Sequence, residues 1–155
     1  MEDGLVELKT GSILVNDKKL TLGMNFDEIN GLFSNIIKSK SNYRNKEGQD
    51  CKIVCFFDRP IYNMPAEIRI MFHDNISYKI YLSYDSNDIS VNSPNIEKEL
   101  YKDRVRQTSK NLSKNVAKYY NIDENNTFCI KENGYKFSSY VNSECTECSA
   151  ILERE

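Results

Sequence analysis

The most restrictive feature of this chain is a period-two alternation that runs, with breaks, from Cys51 to Tyr84. Cys51, Ile53, Cys55 and Phe57 fall on one side of an extended backbone. Ile68, Ile70 and Phe72 do the same, opposite Glu67, Arg69, Met71 and His73. After Asp74-Asn75, the set Ile76, Tyr78, Ile80, Leu82 and Tyr84 alternates with Ser77, Lys79, Tyr81 and Ser83. A strand returns every second side chain to the same face, so the expectation is a half-buried antiparallel meander with one wet side. Pro60 and Pro65 cannot donate to a ladder and mark a connection or an edge strand between the first two runs.

The flanking segments add two helices and more strands. Residues 5–8, 13–15 and 20–22 read as short strands joined by turns at Thr10-Gly11-Ser12 and Asn16-Asp17-Lys18-Lys19, whose Gly, Asn and Asp tolerate positive φ. Asn25 can cap a helix, with Glu28 three residues on able to bond back to the cap amide. Phe26, Ile29, Phe33, Ile36 and Ile37 form its apolar stripe, and Gly31 inside it implies close packing on a sheet. Residues 39–50 read as a polar loop.

Ser93-Pro94 predicts the start of a second helix, with Tyr101, Val105, Thr108, Leu112, Val116 and Tyr119 as its buried stripe and Asn121 as a left-handed stop. Asn133-Gly134 between alternating residues is a strong hairpin signal, and a two-residue loop places Ile130 opposite Phe137 and Cys129 opposite Ser138. A last strand is expected over 150–153. The fold class is therefore α+β, an antiparallel sheet with two helices packed on it, in the order three strands, helix, three or four strands, helix, three strands.

Bulk properties narrow the function. A chain of 155 residues is expected to form one domain, 1–155. A net charge of -2 makes the whole molecule a poor polyanion binder, and no apolar run approaches the roughly 18 residues of a membrane helix. Met1-Glu2-Asp3-Gly4 is acidic and begins no apolar leader, and five cysteines are an odd number. Both point to a reducing, cytoplasmic setting, and the heavy use of Asn, Lys, Ile and Tyr fits a bacterial chain.

The cysteines invite a metal or redox reading that spacing weakens. On a strand, Cys51 and Cys55 point the same way but stand about 13 Å apart at ~3.3 Å per residue, too far for one zinc ion. Cys145 and Cys148 form a Cys-x-x-Cys, but a reactive pair needs a helix N-terminus, and 150–152 reads as strand. The ordinary outcome is core or incidental thiols, with a zinc clip as the alternative. His73 is the single imidazole, and no phosphate loop, Ser-His-Asp set or carboxylate pair accompanies it. No enzyme activity, cofactor or metal is expected.

Two surface sets remain. Along the second helix, Arg106, Lys110, Lys114 and Lys118 recur every four residues. The span 102–118 holds six basic residues against one acidic, a local +5 that could follow phosphates or meet an acidic protein. Asp85 and Asp88 follow the meander, Asp123 and Glu124 the second helix, and Glu144 and Glu147 surround the Cys pair. Loop carboxylates of this kind suit a basic protein partner, and Met71 and Tyr81 on the wet face would serve as apolar anchors.

Gly11, Ile13, Val15 and Asn16, then Leu20, Leu22, Gly23 and Met24, form a G-x-I-x-V-N…L-x-L-G-M hairpin entering a helix. Together with the Asn133-Gly134 hairpin, the chain resembles immunity proteins of bacterial toxin systems, such as contact-dependent growth inhibition. Some outer-membrane lipoproteins share the Gly-Met entry, but their leader and lipidated cysteine are not expected here, since neither is found among the first residues given. The resemblance implies a stoichiometric inhibitor of a cognate toxin domain, with a nuclease as the expected target. The residues expected to make the contact, Asp85, Asp88, Glu144, Glu147, Tyr81 and Met71, come from the loop carboxylates and the wet face and not from the resemblance. The alternative is an adaptor that docks on nucleic acid or an acidic protein through Arg106, Lys110, Lys114 and Lys118.

Overall fold

The computed structural model describes residues 3–86 and 95–155, with Asp85 and Ser86 as backbone only; the expected Ser93-Pro94 cap and Asp88 lie outside them. A three-stranded sheet comes first: β1 (Val6–Glu7), β2 (Ser12–Val15) and β3 (Lys18–Thr21), paired antiparallel in chain order. Asn16 and Asp17 both adopt positive φ, which closes the β2–β3 turn as a two-residue hairpin loop. Helix α1 (Phe26–Leu32) follows, and Asn25 Oδ1 accepts the Glu28 N–H at 2.9 Å. Glu28 reaches back to the Asn25 side-chain amide at 2.8 Å, rather than to its backbone as expected.

The larger sheet contains β4 (Ile37–Arg44), β5 (Asp50–Phe56), β6 (Arg59–Ile61), β7 (Met64–His73) and β8 (Ile76–Ser86), with helix α2 (Asn95–Val116) after them. It is completed by β9 (Cys129–Glu132), β10 (Tyr135–Val141) and β11 (Glu147–Arg154). The spatial order is β4-β5-β7-β8-β11-β10-β9, all antiparallel, with β6 pairing β7 as a short flap. The last strand of the chain thus sits in the middle of the sheet. The α+β class is that expected and the order of elements roughly so, with five strands rather than three or four between the helices. Ile130 pairs Phe137 and Cys129 pairs Ser138, in the anticipated register.

One face of the large sheet carries Val54, Phe56, Ile68, Ile70, Phe72, Ile80, Leu82, Phe137, Ala150 and Leu152, all buried. The small sheet, α1 and the C-terminal half of α2 cover that face in one continuous apolar cluster. Phe26 of α1 meets Phe72 edge-on at 5.6 Å, and Phe33 meets Phe56 at 5.2 Å. Towards the other end of α2, Tyr101 and Val105 pack on Cys148. No helix among the described residues is long and apolar enough to cross a membrane.

Several local expectations are corrected. Residues 39–50 are not a loop: most of them form β4 and its turn into β5, an exposed strand held by pairing rather than burial. In β5 the core takes Val54 and Phe56, while Cys51, Ile53 and Cys55 lie on the other face and Phe57, just past the strand, is 55% exposed. Residues 53–57 are apolar throughout, so alternation alone could not choose a face. In β8 a register shift makes Tyr78 an extra residue, which turns Ser77 inward and leaves Ile76 46% exposed.

In α2 the buried stripe uses Ser109 and Ser113 rather than Thr108, and Tyr119 is exposed. Asn121 is not left-handed. A Cβ on Gly31 would meet nothing within 4 Å, so sheet packing is not its reason. The last strand begins at Glu147, so Glu147 and Cys148 belong to it rather than to a preceding loop.

Candidate functional site

The core claims one face of the large sheet and leaves the other open. Strand registers place its side chains in rows. Ile53, Met71, Lys79, Glu153 and Lys136 stand side by side across β5, β7, β8, β11 and β10. The next row is Cys55, Arg69, Tyr81, Ile151 and Ser138, and beyond it come Glu67, Ser83, Ser149 and Tyr140. Ile53, Met71, Tyr81, Ile151 and Tyr140 are all only half-buried. They are the apolar and aromatic part of a hydrogen-bonded platform.

Arg69 and Lys79 stand among these residues, and Glu67 and Glu147 lie beyond them. Arg69 Nε donates to Glu67 Oε1 at 2.7 Å, and Lys38 Nζ approaches Glu67 Oε2 at 3.4 Å. Partial burial opposes ionisation of Glu67, yet Arg69 and Lys38 together hold its carboxyl below the ordinary range. The same pairing raises the Arg69 guanidinium, with Glu147 adding to it. Glu147 Oε1 accepts the Ser149 hydroxyl at 2.8 Å. Burial pushes the Tyr140 phenol up; Ser149 works against this, while Glu147 and a hydrogen bond with Tyr81 add to it. Lys79 lies over the Tyr81 ring at 5.9 Å.

Of the residues singled out from sequence, Met71, Tyr81 and Glu147 share this face. Glu144 is exposed on the adjoining turn, where Asn142 Oδ1 accepts the Thr146 and Glu147 N–H groups at 2.8 and 3.0 Å. The Asp85 backbone pairs with Cys148, which puts it at the same end of the sheet. Asp88 lies outside the described residues. Arg106, Lys110 and Lys114 are exposed on the side of α2 turned away from the sheet, and Lys118 is exposed just past the helix end. Asp103 pairs with Arg106 at 3.2 Å and Glu99 with Lys102 at 3.4 Å, which lowers the local charge. The basic row and the open sheet face therefore lie on opposite sides of the fold.

The cysteines are scattered. Cys51 and Cys148 are buried, Cys55 is half-buried on the open face, Cys129 is exposed on the edge strand β9, and Cys145 sits at φ 52° in the turn. Among the described residues no three His, Cys, Asp or Glu side chains gather as a metal ion would require. His73 stacks on Tyr78 at 4.2 Å.

Sequence reasoning found Met71 and Tyr81 but missed Ile53, Ile151, Tyr140 and the Glu67–Arg69–Lys38 group. The wet sides of β7 and of β8 beyond its bulge could be read from alternation, but that of β5 could not. Assembling them required knowing that β11 inserts between β8 and β10. Comparisons with protein-family models, with curated proteins and with solved structures gave no match.

Proposed function

We propose that this chain is a non-catalytic, immunity-type inhibitor that works in the bacterial cytoplasm by covering a cognate toxin domain, with a nuclease as the expected target. The observation that carries this reading is the open face of the large sheet. Protein interfaces are enriched in Tyr, Met and Arg. This face carries Met71 and Ile53 on one side and Tyr81, Ile151 and Tyr140 on the other, with Arg69 and Lys79 between them and Glu67 and Glu147 beyond. The face rests on paired strands, so little ordering is needed on binding.

Glu147, Glu144 and the Asp85 position lie at one end of this platform. They would meet Lys and Arg side chains of a nucleic-acid-cutting partner, speeding encounter and rejecting acidic surfaces. Inhibition is then steric, since the bound platform denies the toxin its substrate. Five cysteines, an odd number, fit a reducing compartment.

The test is co-expression with the protein encoded immediately upstream. The expected result is rescue of cells from that protein's toxicity and a one-to-one complex that Tyr81→Ala weakens at least tenfold. Toxicity unrelieved by the wild-type chain, or a neighbour that is not toxic, overturns the proposal.

A further inference from the structure

We propose that β4 is a docking edge that accepts an extended, acidic segment of another protein as an added strand. This inference needs no assumption about the open sheet face or a toxin.

β4 pairs with β5 on one side, and no described strand pairs with its other side. Its eight residues span about 27 Å at ~3.4 Å each, and seven of them are exposed. Natural edges are usually kept short, interrupted by proline or covered. The opposite edge, β9, is only four residues long, but β4 is twice that and contains no proline.

β4 is protected by a register irregularity at Lys38, near its start, and along the rest of its length by charge. Lys38, Lys40 and Arg44 lie on it, with no Asp or Glu. Glu67 stands 3.4 Å from Lys38 and Asp50 3.3 Å from Arg44, which lowers the charge, but a second copy of β4 would still set like charges against one another, so self-addition is opposed. An acidic strand meets the reverse situation, because the residues that block self-pairing are the ones that attract it. The occupant is therefore an acidic segment and not another copy of this chain.

The positions of the cations set the pattern of the incoming strand. Lys40 stands in register with Val54, and Asn42 and Arg44 share its side. Lys52 joins them, its ammonium 4.3 Å from the Phe26 ring centre, with Lys40 at 5.8 Å. Ser39, Ser41 and Tyr43 occupy the other side. The fitting strand carries acidic residues at alternate positions towards Lys40 and Arg44, and small or β-branched residues beside the serines.

β4 is also prepared for such an addition. Its hairpin into β5 is closed by Asn45, whose Oδ1 accepts the Glu47 and Gln49 N–H groups at 3.1 and 2.9 Å. A cleft of about 490 Å³ opens beside its first half, between Asn30 and Ser34 on one wall and Ile37, Lys38, Ser39 and Lys40 on the other. An added strand would complete backbone hydrogen bonds that the edge otherwise gives to water.

The experiment is a titration of the full, isotope-labelled chain with the capped peptide Glu-Val-Glu-Thr-Glu-Val, followed by amide shifts and hydrogen exchange. The expected result is saturable change centred on 37–44, with exchange there slowed. Binding should weaken at least tenfold when alternate peptide amides are N-methylated, and at least tenfold again in Lys40→Glu/Arg44→Glu. That variant should instead bind the Lys-Val-Lys-Thr-Lys-Val peptide. Equal binding of the N-methylated peptide leaves only charge attraction and overturns strand addition. No saturable change at 37–44, or a chain that dimerises through β4, overturns the proposal as well. Should the double variant not fold, the N-methylated arm on the wild-type chain still decides.

Discussion

Tyr62 stacks on Phe137 with ring centroids 5.9 Å apart, and its hydroxyl accepts the Val6 N–H at 3.3 Å. One side chain thereby joins the β6–β7 turn, β10 of the large sheet and β1 of the small one. Its backbone is tied as well: the Tyr62 N–H donates to the Gly4 carbonyl at 2.9 Å, and Asn115 of α2 donates to its carbonyl at 2.8 Å. This is achieved at φ 54°, a left-handed conformation unusual for a bulky residue.

Replacing Tyr62 separates these ties. Tyr62→Phe keeps the stack but leaves the buried Val6 N–H unpaired, and should cost about 1–2 kcal/mol. Tyr62→Ala removes the ring from the core and should cost about 3–5 kcal/mol. Urea unfolding monitored by circular dichroism measures both. Equal losses for the two variants would mean that the ring packing contributes nothing beyond the hydroxyl.

Two glycines should respond in opposite directions to alanine. Gly31 lies in α1 with open space where a Cβ would go, so Gly31→Ala should stabilise by about 0.5–1 kcal/mol through helix propensity. Gly11 has φ 63°, and a Cβ there would stand 2.3 Å from the Tyr135 ring. Gly11→Ala should destabilise by about 2 kcal/mol. In a Tyr135→Ala background that loss should fall to about 1 kcal/mol, the backbone part alone, and a thermal-melt double-mutant cycle reads the difference.

What was legible in the sequence follows from how each element is held. Asn133-Gly134 fixed its hairpin register because both residues suit positive φ, and Asn25 named its helix start because a cap is a local interaction. β4 was illegible because its side chains face water on both sides, and only the β5 ladder keeps it extended. Tyr78 and Ile76 were assigned to the wrong face because a bulge leaves no trace in an apolar pattern. The open face was half legible: Met71 and Tyr81 came from alternation, whereas Tyr140 and Ile151 became their neighbours only through the placement of β11.

Acid should weaken the fold partly through Glu67. Its folded-state carboxyl lies below the ordinary value because of Arg69 and Lys38, despite the opposing effect of burial. A depressed carboxyl contributes stability that is full above the unfolded value of about 4.3 and is lost as pH falls through the lower folded value. Both cationic partners are about half exposed, so the contribution is modest, about 0.5 kcal/mol. Glu67→Gln should therefore be less stable than the wild type by that amount at pH 7 and match it near pH 2. A difference that is constant across this range would assign the effect to packing.

Alkali should act through buried phenols. Burial raises Tyr84 well above the ordinary tyrosine value and raises Tyr62 too, while the Tyr84 hydroxyl donates to the Ile61 carbonyl at 3.1 Å. A raised phenol contributes stability that is full below the unfolded value of about 10 and is lost as pH rises towards the folded value. Thermal stability should hold to about pH 9.5 and then fall, with some of the ten tyrosines ionising only as the chain unfolds. Ultraviolet titration of the phenolate alongside circular dichroism checks this. Ionisation of all ten near pH 10 in a folded chain would contradict it.

The open sheet face predicts a separation between stability and binding. Met71, Tyr81 and Ile151 are half-buried on a face that packs on no described helix or strand, so truncating them removes little from the core. Tyr81→Ala and Met71→Ala should each change stability by less than about 1 kcal/mol, as surface substitutions do. An interface centred there loses about 2 kcal/mol or more for a central aromatic anchor, roughly thirtyfold in affinity. Glu147→Lys should act differently, slowing association with a basic partner and altering its salt dependence. Lys110→Glu/Lys114→Glu on α2, turned away from the sheet, should leave that complex unchanged. Calorimetry and stopped-flow association with the purified partner distinguish these effects. If the α2 variant abolishes binding while Tyr81→Ala does not, the interface lies on the helix side and the sheet-face assignment is wrong.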